Sequence, residues 1–297
     1  MKLSAASPAL ILVGGVFVLS AMDATIKFLS QTNHTLVVTL GRYVVGAAFA
    51  LVIWTHAGRP AITGAMWRAH WVRGLVIAVS ATSFFWSLTV LPLAEAVALS
   101  FFYPLIVPFV AAALIGEKVR GTSVAAAGLG FLGVIVTMQG APAAAQSPLH
   151  YWGVAAVILA ATTFAVSIAL MRARARSDGA PIVGVMATVI PGLIVAGPAI
   201  AFAPAPRLED WPYFLLMGVL AAAGMYLMAR AYAAAEAQQL APIHYSELLW
   251  ASLIGYFVFQ EIPRPQVLIG ALVIIAACLW AAWDERRLAP RGLETGS

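Results

Sequence analysis

Apolar residues fill most of the chain in long runs that short polar connections separate. In the run VAAAGLGFLGVIV (124–136) every position is apolar, whereas the strands of a membrane β-barrel alternate apolar and polar residues. A hydrocarbon layer about 30 Å thick needs roughly 20 helical residues. Ten segments approach that length, and we predict an all-α integral membrane protein with ten transmembrane helices. The segments are 8–29, 35–56, 70–91, 94–115, 121–139, 150–172, 181–203, 211–233, 240–260 and 265–285.

The composition agrees with this pattern. The 297 residues are 62% hydrophobic and 10% charged, with a mean hydropathy of +0.93, whereas soluble domains carry about 25% charged residues. The connections are short, so no soluble domain is predicted between the segments. The one cysteine, Cys278, excludes an intramolecular disulfide.

Basic residues are distributed unevenly between the two predicted sides of the membrane. With the N-terminus in the cytoplasm, thirteen of the 17 lysines and arginines fall on the cytoplasmic side. The other side receives Lys27, Arg42, Arg207 and Arg264. This positive-inside bias predicts a multi-pass protein of the inner or plasma membrane with both termini in the cytoplasm. The net charge of +5 is then an orientation signal, and no nucleic-acid partner is predicted.

The two halves of the chain share a sequence pattern. Each has an Ala-Glu-Ala triplet (94–96 and 235–237) at the start of an apolar segment, and each such segment ends in Glu-x-x-Arg (117–120 and 261–264). We therefore predict a first five-helix repeat over 1–147 and a second over 148–297. Because five is an odd number, the second repeat enters the membrane inverted. Inverted repeats are an architecture of secondary transporters, in which the binding site lies near the midplane between the repeats.

Two stretches within these halves resemble a known family. They are FFWSLTVLPLAEAVALSFFYPLIVPFVAAALIGEKV (84–119) and ARAYAAAEAQQLAPIHYSELLWASLIGYFVFQEIPRPQVLIGALVI (229–274). Together with Lys27 in ATIKF and Arg42 in LGRYVV, they resemble the EamA family of the drug/metabolite transporter superfamily. The resemblance implies ten helices around a central cavity and the movement of small organic solutes. It departs at Glu247, which is followed by leucine where the family often has proline, so no family role is carried over there.

Three charged residues of the first two segments are predicted to lie together. Asp23 and Lys27 are four residues apart on one helix face, and counting 1.5 Å per residue places Asp23 and Arg42 both roughly 10 Å below the outer interface. This cluster would carry one net positive charge, which suits a substrate carboxylate or a gate. The alternative is a structural tie between the two segments, with Lys27 reaching outward to the interface.

A second polar group lies in the ninth segment. His244 and Glu247 are three residues apart and therefore neighbours on a helix, with Tyr245 and Ser246 pointing elsewhere. Ionisable residues inside a membrane segment are more often functional than structural, so we interpret the pair as a site for a proton or a substrate ammonium. The alternative is a polar pair that fixes helix packing. One histidine and one glutamate are too few ligands for zinc, and no metal is predicted.

The fourth segment contains residues that interrupt a helix. Tyr103, Pro104 and Pro108 lie near its middle, and proline removes a backbone donor and kinks a helix. Tyr103 has the position in the first half that Glu247 has in the second, so we predict that both line the cavity. Trp86 and Trp250 are the aromatic residues predicted to wall it, although such residues also face lipid or fill the bundle.

Other patterns are interpreted as structural. The G-x-G-x-x-G sequence at 128–133 lies inside a membrane segment, where it favours close helix packing over nucleotide binding. Glu95 and Glu236 begin segments and Glu117 and Glu261 end them, and all four are predicted to be structural.

These features predict a secondary transporter that works by alternating access. The predicted substrate is an amino acid, aromatic ones included, with protons as a further partner, and the predicted direction is export. The alternatives are a transporter of lipophilic cations or drugs, or of another metabolite such as a nucleoside, a sugar or an S-adenosylmethionine-like compound. An enzyme and a cofactor are not predicted, because the sequence has no H-E-x-x-H, G-x-S-x-G or Walker pattern.

Overall fold

The computed structural model describes residues 8–116, 119–139, 148–234 and 241–288. Within these ranges all regular structure is helical. The elements are α1 (Pro8–Thr32), α2 (Thr35–His56), α3 (Gly64–Ser87), α4 (Leu93–Ser100), α5 (Tyr103–Ile115), α6 (Gly121–Met138), α7 (Pro148–Asp178), α8 (Ala180–Phe202), a 3-10 helix (Leu208–Asp210), α9 (Trp211–Ala234), a second 3-10 helix (Ala241–Tyr245), α10 (Ser246–Phe259) and α11 (Pro265–Leu288).

Local chemistry explains several of the helix ends. The hydroxyl of Thr63 accepts a hydrogen bond from the backbone N–H of Met66 and so caps α3. Gly116, with φ of 72°, ends α5 in the left-handed conformation that glycine adopts without strain. Gln260 ends α10 in the same conformation, with φ of 56°. Each end satisfies backbone groups that the helix itself leaves without partners.

Among the described residues, seven helices are long and apolar enough to cross a membrane, counting α4 and α5 together as Leu93–Leu114. The helices α3 and α10 are not among them: the first half of α3 contains Arg68, His70 and Arg73, and α10 has only 14 residues. In α11 the apolar part is the shorter stretch Pro265–Ala281. The all-helical class is thus confirmed, whereas ten membrane crossings stay a prediction.

The fourth predicted segment is two helices. The helix α4 ends at Ser100, and α5 begins at Tyr103 with Pro104 in its first turn, where proline's missing N–H is not needed. Pro108 lies inside α5 without ending it. The ninth segment is divided at the matching place, because the 3-10 helix ends at Tyr245, two residues before Glu247, and α10 follows.

Most of the packing is between pairs of helices. In these pairs α1 contacts α9, α3 contacts α7, α2 contacts α8 and α6 contacts α11, while α10 lies against α1 and α4, and α5 lies against α7. Every residue of α4 from Leu93 to Leu99 is buried, so this short helix lies in the core. The break after α4 is therefore in the interior of the bundle.

Small residues allow α6 and α11 to approach closely. A Cβ added to Gly133 would lie 2.8 Å from the carbonyl oxygen of Gly270, and one added to Gly130 would overlap the side chain of Leu105 on α5. Gly128 has nothing within 4 Å of that position. Two glycines of the G-x-G-x-x-G sequence thus serve helix packing.

Candidate functional site

One end of the bundle, where α1 ends and α4 begins, is tied by ion pairs. The Nζ of Lys27 is 2.6 Å from Oε1 of Glu261 and donates to the carbonyl oxygen of Leu91 at 2.6 Å. The other oxygen of Glu261 accepts from the N–H of Leu93 at 2.8 Å. These bonds join the C-terminal part of α1 and the start of α4 to Glu261, which lies two residues after the end of α10.

Glu95 on α4 has two basic neighbours at the same end. Its side chain is 1% exposed; Oε2 lies 2.7 Å from Nη2 of Arg264, and Oε1 lies 3.3 Å from Nε2 of His150 on α7. Arg264 also donates to the carbonyl oxygen of Gln139 after α6. We call Lys27, Glu95, His150, Glu261 and Arg264 the terminal network. It connects helices of both halves of the chain.

Lys27 does not have the neighbours that its sequence position suggests. It was expected to share a cluster with Asp23 and Arg42, but its ammonium group is bonded to Glu261 and its Nζ lies 5.5 Å from the ring centre of Phe259. The long side chain of Lys27 explains this difference. Lys27 is one turn closer than Asp23 to the end of α1, and its side chain reaches the carbonyl oxygen of Leu91. Its positive charge is therefore neutralised within the terminal network.

A second set of charges lies deeper between α1, α2 and α10. Asp23 on α1 is 9% exposed, and its charge interacts with Arg42 on α2 and Glu247 on α10. No hydrogen bond joins Asp23 to Glu247 within the described ranges, so the two carboxylates interact at a distance. The guanidinium of Arg42 lies beside Gly46, one turn further along α2. Asp23 thus interacts electrostatically with charges on two other helices, Arg42 on α2 and Glu247 on α10.

Three buried polar atoms accompany these charges. Ser20 Oγ, Ser246 Oγ and Trp250 Nε1 have no hydrogen-bond partner in the part of the chain that the structure describes. Ser20 lies one turn before Asp23, and the other two flank Glu247 on α10. The rings of Phe17 and Trp250 meet with their centres 5.1 Å apart and hold these faces of α1 and α10 together. We call Ser20, Asp23, Arg42, Ser246, Glu247 and Trp250 the central cluster.

A buried polar atom without a partner costs roughly 1–3 kcal/mol, and it calls for an explanation such as a bound water, ion or ligand. In the central cluster the three such atoms belong to α1 and α10, two helices that contact each other, and they are one to three residues from Asp23 or Glu247 in the chain. Ser246 was expected to point elsewhere, because an unbroken α-helix through 240–260 would turn it away. The helix instead begins at Ser246, and His244 lies in the preceding 3-10 helix.

The remaining residues predicted for the site lie on α3, on α5 and in the 3-10 helix before α10. Tyr103 opens α5, and its ring meets that of Phe164 on α7 at 5.0 Å. Pro104 follows it in the first turn of α5. Trp86 is partly buried near the end of α3, and His244 is partly buried before α10.

Tyr245 is a residue that sequence reasoning missed. Its ring lies edge-on to that of Phe101 at 5.3 Å, and its side chain interacts with that of Cys278 on α11, whose Sγ donates to the carbonyl oxygen of Phe101 at 3.5 Å. Tyr103 is near enough to interact with it electrostatically. The signal that could have found it is its place in the repeat: Tyr245 precedes Glu247 by two residues, as Phe101 precedes Tyr103.

A further pair lies near the other end of α3. The Nε2 of His70 is 3.0 Å from Oδ2 of Asp178 at the end of α7, and both side chains are buried. Sequence reasoning did not identify this pair, because Asp178 follows the basic stretch after the sixth segment and reads as a solvated loop residue. It ties α3 to α7. The predictions for Glu117 and Glu236 lie outside the described residues.

Within the described ranges, neither a metal centre nor the apolar groove between α2, α8 and α9 coincides with the central cluster. Among the described residues no three histidine, cysteine, aspartate or glutamate side chains are grouped for a metal ion. A groove of about 460 Å³ lies between α2, α8 and α9, and its lining carries no charged residue. No member of the central cluster lines this apolar groove.

A family model matches most of the chain. The description is "EamA-like transporter family", and the model matches residues 6–139 and again 151–283. A set of partly exposed apolar helices with charged residues inside is the construction of a membrane transporter. The chain belongs to the EamA-like transporter family.

Curated relatives are transporters with different named substrates. An S-adenosylmethionine uptake transporter of Rickettsia bellii is 24% identical over 269 residues, which is 90% of each chain. A riboflavin transporter of Rhizobium johnstonii is 27% identical over 74% of this chain and 72% of its own. A pseudopaline exporter of Pseudomonas aeruginosa is 24% identical over 92% and 95%. Both uptake and export occur among these relatives.

A solved crystal structure shares the fold. It is 20% identical, has a TM-score of 0.63, and the match covers 95% of this chain and 98% of the other. At this identity the similarity shows the arrangement of the helices.

Proposed function

We propose that this protein is a secondary transporter that moves an amino acid or a related zwitterion across the cytoplasmic membrane by alternating access, with export as its direction. The observation that carries the proposal is the central cluster. Arg42 offers a cation to a substrate carboxylate, and Asp23 and Glu247 offer anions to an ammonium group. Charges inside a membrane bundle are retained where a substrate or an ion meets them.

The helix packing supports two inverted five-helix repeats as the frame of this transporter. If α1 corresponds to α7 and α3 to α9, the contact of α1 with α9 exchanges with that of α3 with α7, and the contact of α5 with α7 exchanges with that of α10 with α1. The family model matches each half separately. The two interrupted segments then meet at equivalent residues, Phe101 and Tyr245. Broken helices at the repeat interface form the binding site in many transporters.

The aromatic and polar residues around the break complete the proposed cavity. We place Tyr103, Pro104, Trp86, Trp250 and His244 along its wall, with Glu247 as the acidic group on the α10 side. Tyr103 and Trp250 approach it from opposite repeats. Aromatic walls with a few placed polar groups are the usual lining of a small-molecule site.

The terminal network serves in this proposal as a closed gate on the external side, with both termini in the cytoplasm. Lys27 and Arg264 were both assigned to that side by the charge bias. A reporter fused after Ser147 is then expected to be periplasmic, and one fused after Ser177 cytoplasmic. The reverse pattern would contradict both the orientation and the inverted repeat.

A second candidate substrate is a metabolite of another class. The relatives named for S-adenosylmethionine, riboflavin and pseudopaline favour this candidate, since each aligns over most of its length. An uptake screen in proteoliposomes with radiolabelled amino acids, nucleosides, riboflavin, S-adenosylmethionine and lipophilic cations separates the candidates. Chemical turnover of a solute in detergent, without movement across the liposome membrane, would instead indicate an enzyme.

The direction of transport is tested in cells. Cells that overproduce the protein are expected to resist toxic analogues of aromatic amino acids. Resistance to lipophilic cations alone would favour the drug-transport alternative. Faster accumulation of the analogues would contradict export.

Two variants test the site itself. Glu247→Gln and His244→Ala are expected to lower the initial uptake rate while leaving thermal stability unchanged, and Glu247→Gln is expected to flatten the dependence of the rate on pH. A wild-type rate and pH profile in Glu247→Gln would reduce this stretch to a packing element.

A further inference from the structure

The charge of the central cluster differs from the charge that the sequence suggests. Asp23, Lys27 and Arg42 together would have a net charge of plus one, which favours an anionic group. In the structure Lys27 forms an ion pair with Glu261, so it does not contribute its charge to the central cluster. Glu247 contributes a carboxylate there instead. With both carboxylates ionised, Asp23, Arg42 and Glu247 have a net charge of minus one.

The other charged side chains that the structure describes on α1, α4 and α9 and just after α10 have contacts of their own. Glu95 is bonded to Arg264, and Glu261 to Lys27. Arg230 on α9 is exposed and lies over the ring of Tyr226. When both carboxylates are ionised, the partners described here do not balance the excess negative charge of the central cluster, and a cationic group of a ligand would balance it.

The arrangement of the three groups restricts that ligand. The α-carboxylate and α-ammonium of an amino acid are attached to one carbon, so they suit a cation and an anion whose charges interact without a direct bond, as those of Arg42 and Asp23 do. Glu247 lies on another helix and is not hydrogen-bonded to Asp23 within the described ranges. It is in position to meet a more distant part of the same ligand.

We propose that the central cluster selects a zwitterion that carries a second positive group, an inference that rests on the proposed function. The substrate carboxylate binds Arg42, its α-ammonium binds Asp23, and its distal cation binds Glu247. The Trp250 ring lies one turn from Glu247, where its face can contact the cation. Ser20, Ser246 and the indole N–H of Trp250 supply hydrogen bonds to the substrate's polar atoms, which gives these buried groups the partners that they lack.

Two pairs of matched compounds test this selection. Lysine and norleucine have side chains of similar length, of which only that of lysine ends in a cation, and S-methylmethionine differs from methionine by one methyl group and one positive charge. Binding of each radiolabelled compound to the purified full-length protein is measured at equilibrium. The wild-type protein is expected to bind the charged member of each pair at least about tenfold more tightly, the difference that one retained ion pair makes.

Variants assign the preference to one residue. Glu247→Gln is expected to reduce the preference to about twofold or less while norleucine still binds, because only the distal contact is changed. Asp23→Asn is expected to weaken both members of each pair. Glu209→Gln, at an exposed site paired with Arg207, is the control and should change neither.

The outcomes separate the two levels of the proposal. Equal binding of both members to the wild-type protein overturns the charge selection and leaves the amino-acid proposal standing. Binding of neither pair, together with uptake of lipophilic cations or riboflavin, overturns both. The comparison within the wild-type protein needs no variant, so it decides the matter even if Glu247→Gln does not fold.

Discussion

The Lys27–Glu261 pair of the terminal network and the polar atoms of the central cluster are satisfied to different degrees. In the terminal network Lys27 and Glu261 each have at least two polar partners at 2.6–2.8 Å. In the central cluster the charges interact at longer range, and the polar atoms of Ser20, Ser246 and Trp250 have no partner among the described residues. Both groups contain charged side chains within a largely apolar bundle.

This difference separates two uses of a buried charge. An ion pair whose remaining atoms are hydrogen-bonded keeps helices in register, and removing one partner leaves the other exposed to an apolar surrounding. A polar group without a partner makes the apo state less stable than it could be and favours whatever supplies the missing bonds. We infer that the terminal network stabilises one conformation and that the central cluster stabilises a complex.

Loss of Lys27 should have the largest effect on stability. Lys27→Met removes the cation that joins Glu261 to the Leu91 carbonyl, and we expect the free energy of unfolding to fall by about 2–3 kcal/mol. The value lies below that of a fully buried pair because the side chain of Glu261 is 22% exposed. Titration with SDS in mixed micelles measures the change.

The control for Lys27 is a pair of the same charge type on the surface. Arg207 and Glu209 are 59% and 71% exposed, so Arg207→Ala should cost less than about 0.5 kcal/mol. The double variant with Met at positions 27 and 261 should recover part of the loss, since no charge is then left without a partner. Equal losses in Lys27→Met and Arg207→Ala would remove the distinction between the two regions.

Glu247→Gln should lower transport and leave stability unchanged, whereas Lys27→Met should lower stability. We expect the initial transport rate of the cationic substrate to fall at least about tenfold, because a charged hydrogen bond to the ligand is lost. We expect the free energy of unfolding to stay within about 0.5 kcal/mol, because Glu247 forms no ion pair with another described residue that the substitution would break. Uptake into liposomes and SDS titration of one preparation give both values.

A loss of stability in Glu247→Gln as large as that in Lys27→Met would make Glu247 a structural residue. It would place the central cluster in the same class as the terminal network. Unchanged transport would have the same consequence.

Trp250→Phe should have a moderate effect on binding. The substitution keeps an aromatic ring beside Phe17 but removes the indole N–H, which has no partner in the described part of the chain. We expect a loss of substrate affinity of about threefold to tenfold, the usual range for one neutral hydrogen bond, with stability unchanged. Equilibrium binding of lysine measures it, and Trp211→Phe in the apolar groove is the control.

The sequence predicts the elements better than their partners. Long apolar runs fix where helices form, because that choice depends on residues that are near each other in the chain. Depth counting places Asp23 and Arg42 at one level, and in the structure the charge of Arg42 acts on Asp23. The pairing of Lys27 with Glu261 depends on how the two halves pack, which no local pattern contains.

The break in the helix before Ser246 is a second feature that the local sequence pattern does not predict. Periodicity through 240–260 predicts one helix, and on that helix Ser246 turns away from Glu247's face. The structure begins α10 at Ser246 and places His244 in the preceding 3-10 helix, so His244 and Glu247 do not share one continuous α-helix. Neighbouring helices, rather than local propensity, decide where such a helix begins.

Serine-to-alanine substitutions give the smallest and most direct comparison, because one chemical change should have opposite signs in two places. Ser80 Oγ is buried and donates to the carbonyl oxygen of Ala160 at 2.9 Å, so Ser80→Ala should lower the free energy of unfolding by about 1 kcal/mol. Ser246 Oγ has no partner within the described residues, so Ser246→Ala should leave stability unchanged or raise it by up to about 1 kcal/mol. The same variant should weaken lysine binding severalfold, since the hydroxyl is then missing from the complex. Equal destabilisation by both variants would mean that Ser246 is satisfied in the unliganded protein, and the central cluster would lose its distinction from the terminal network.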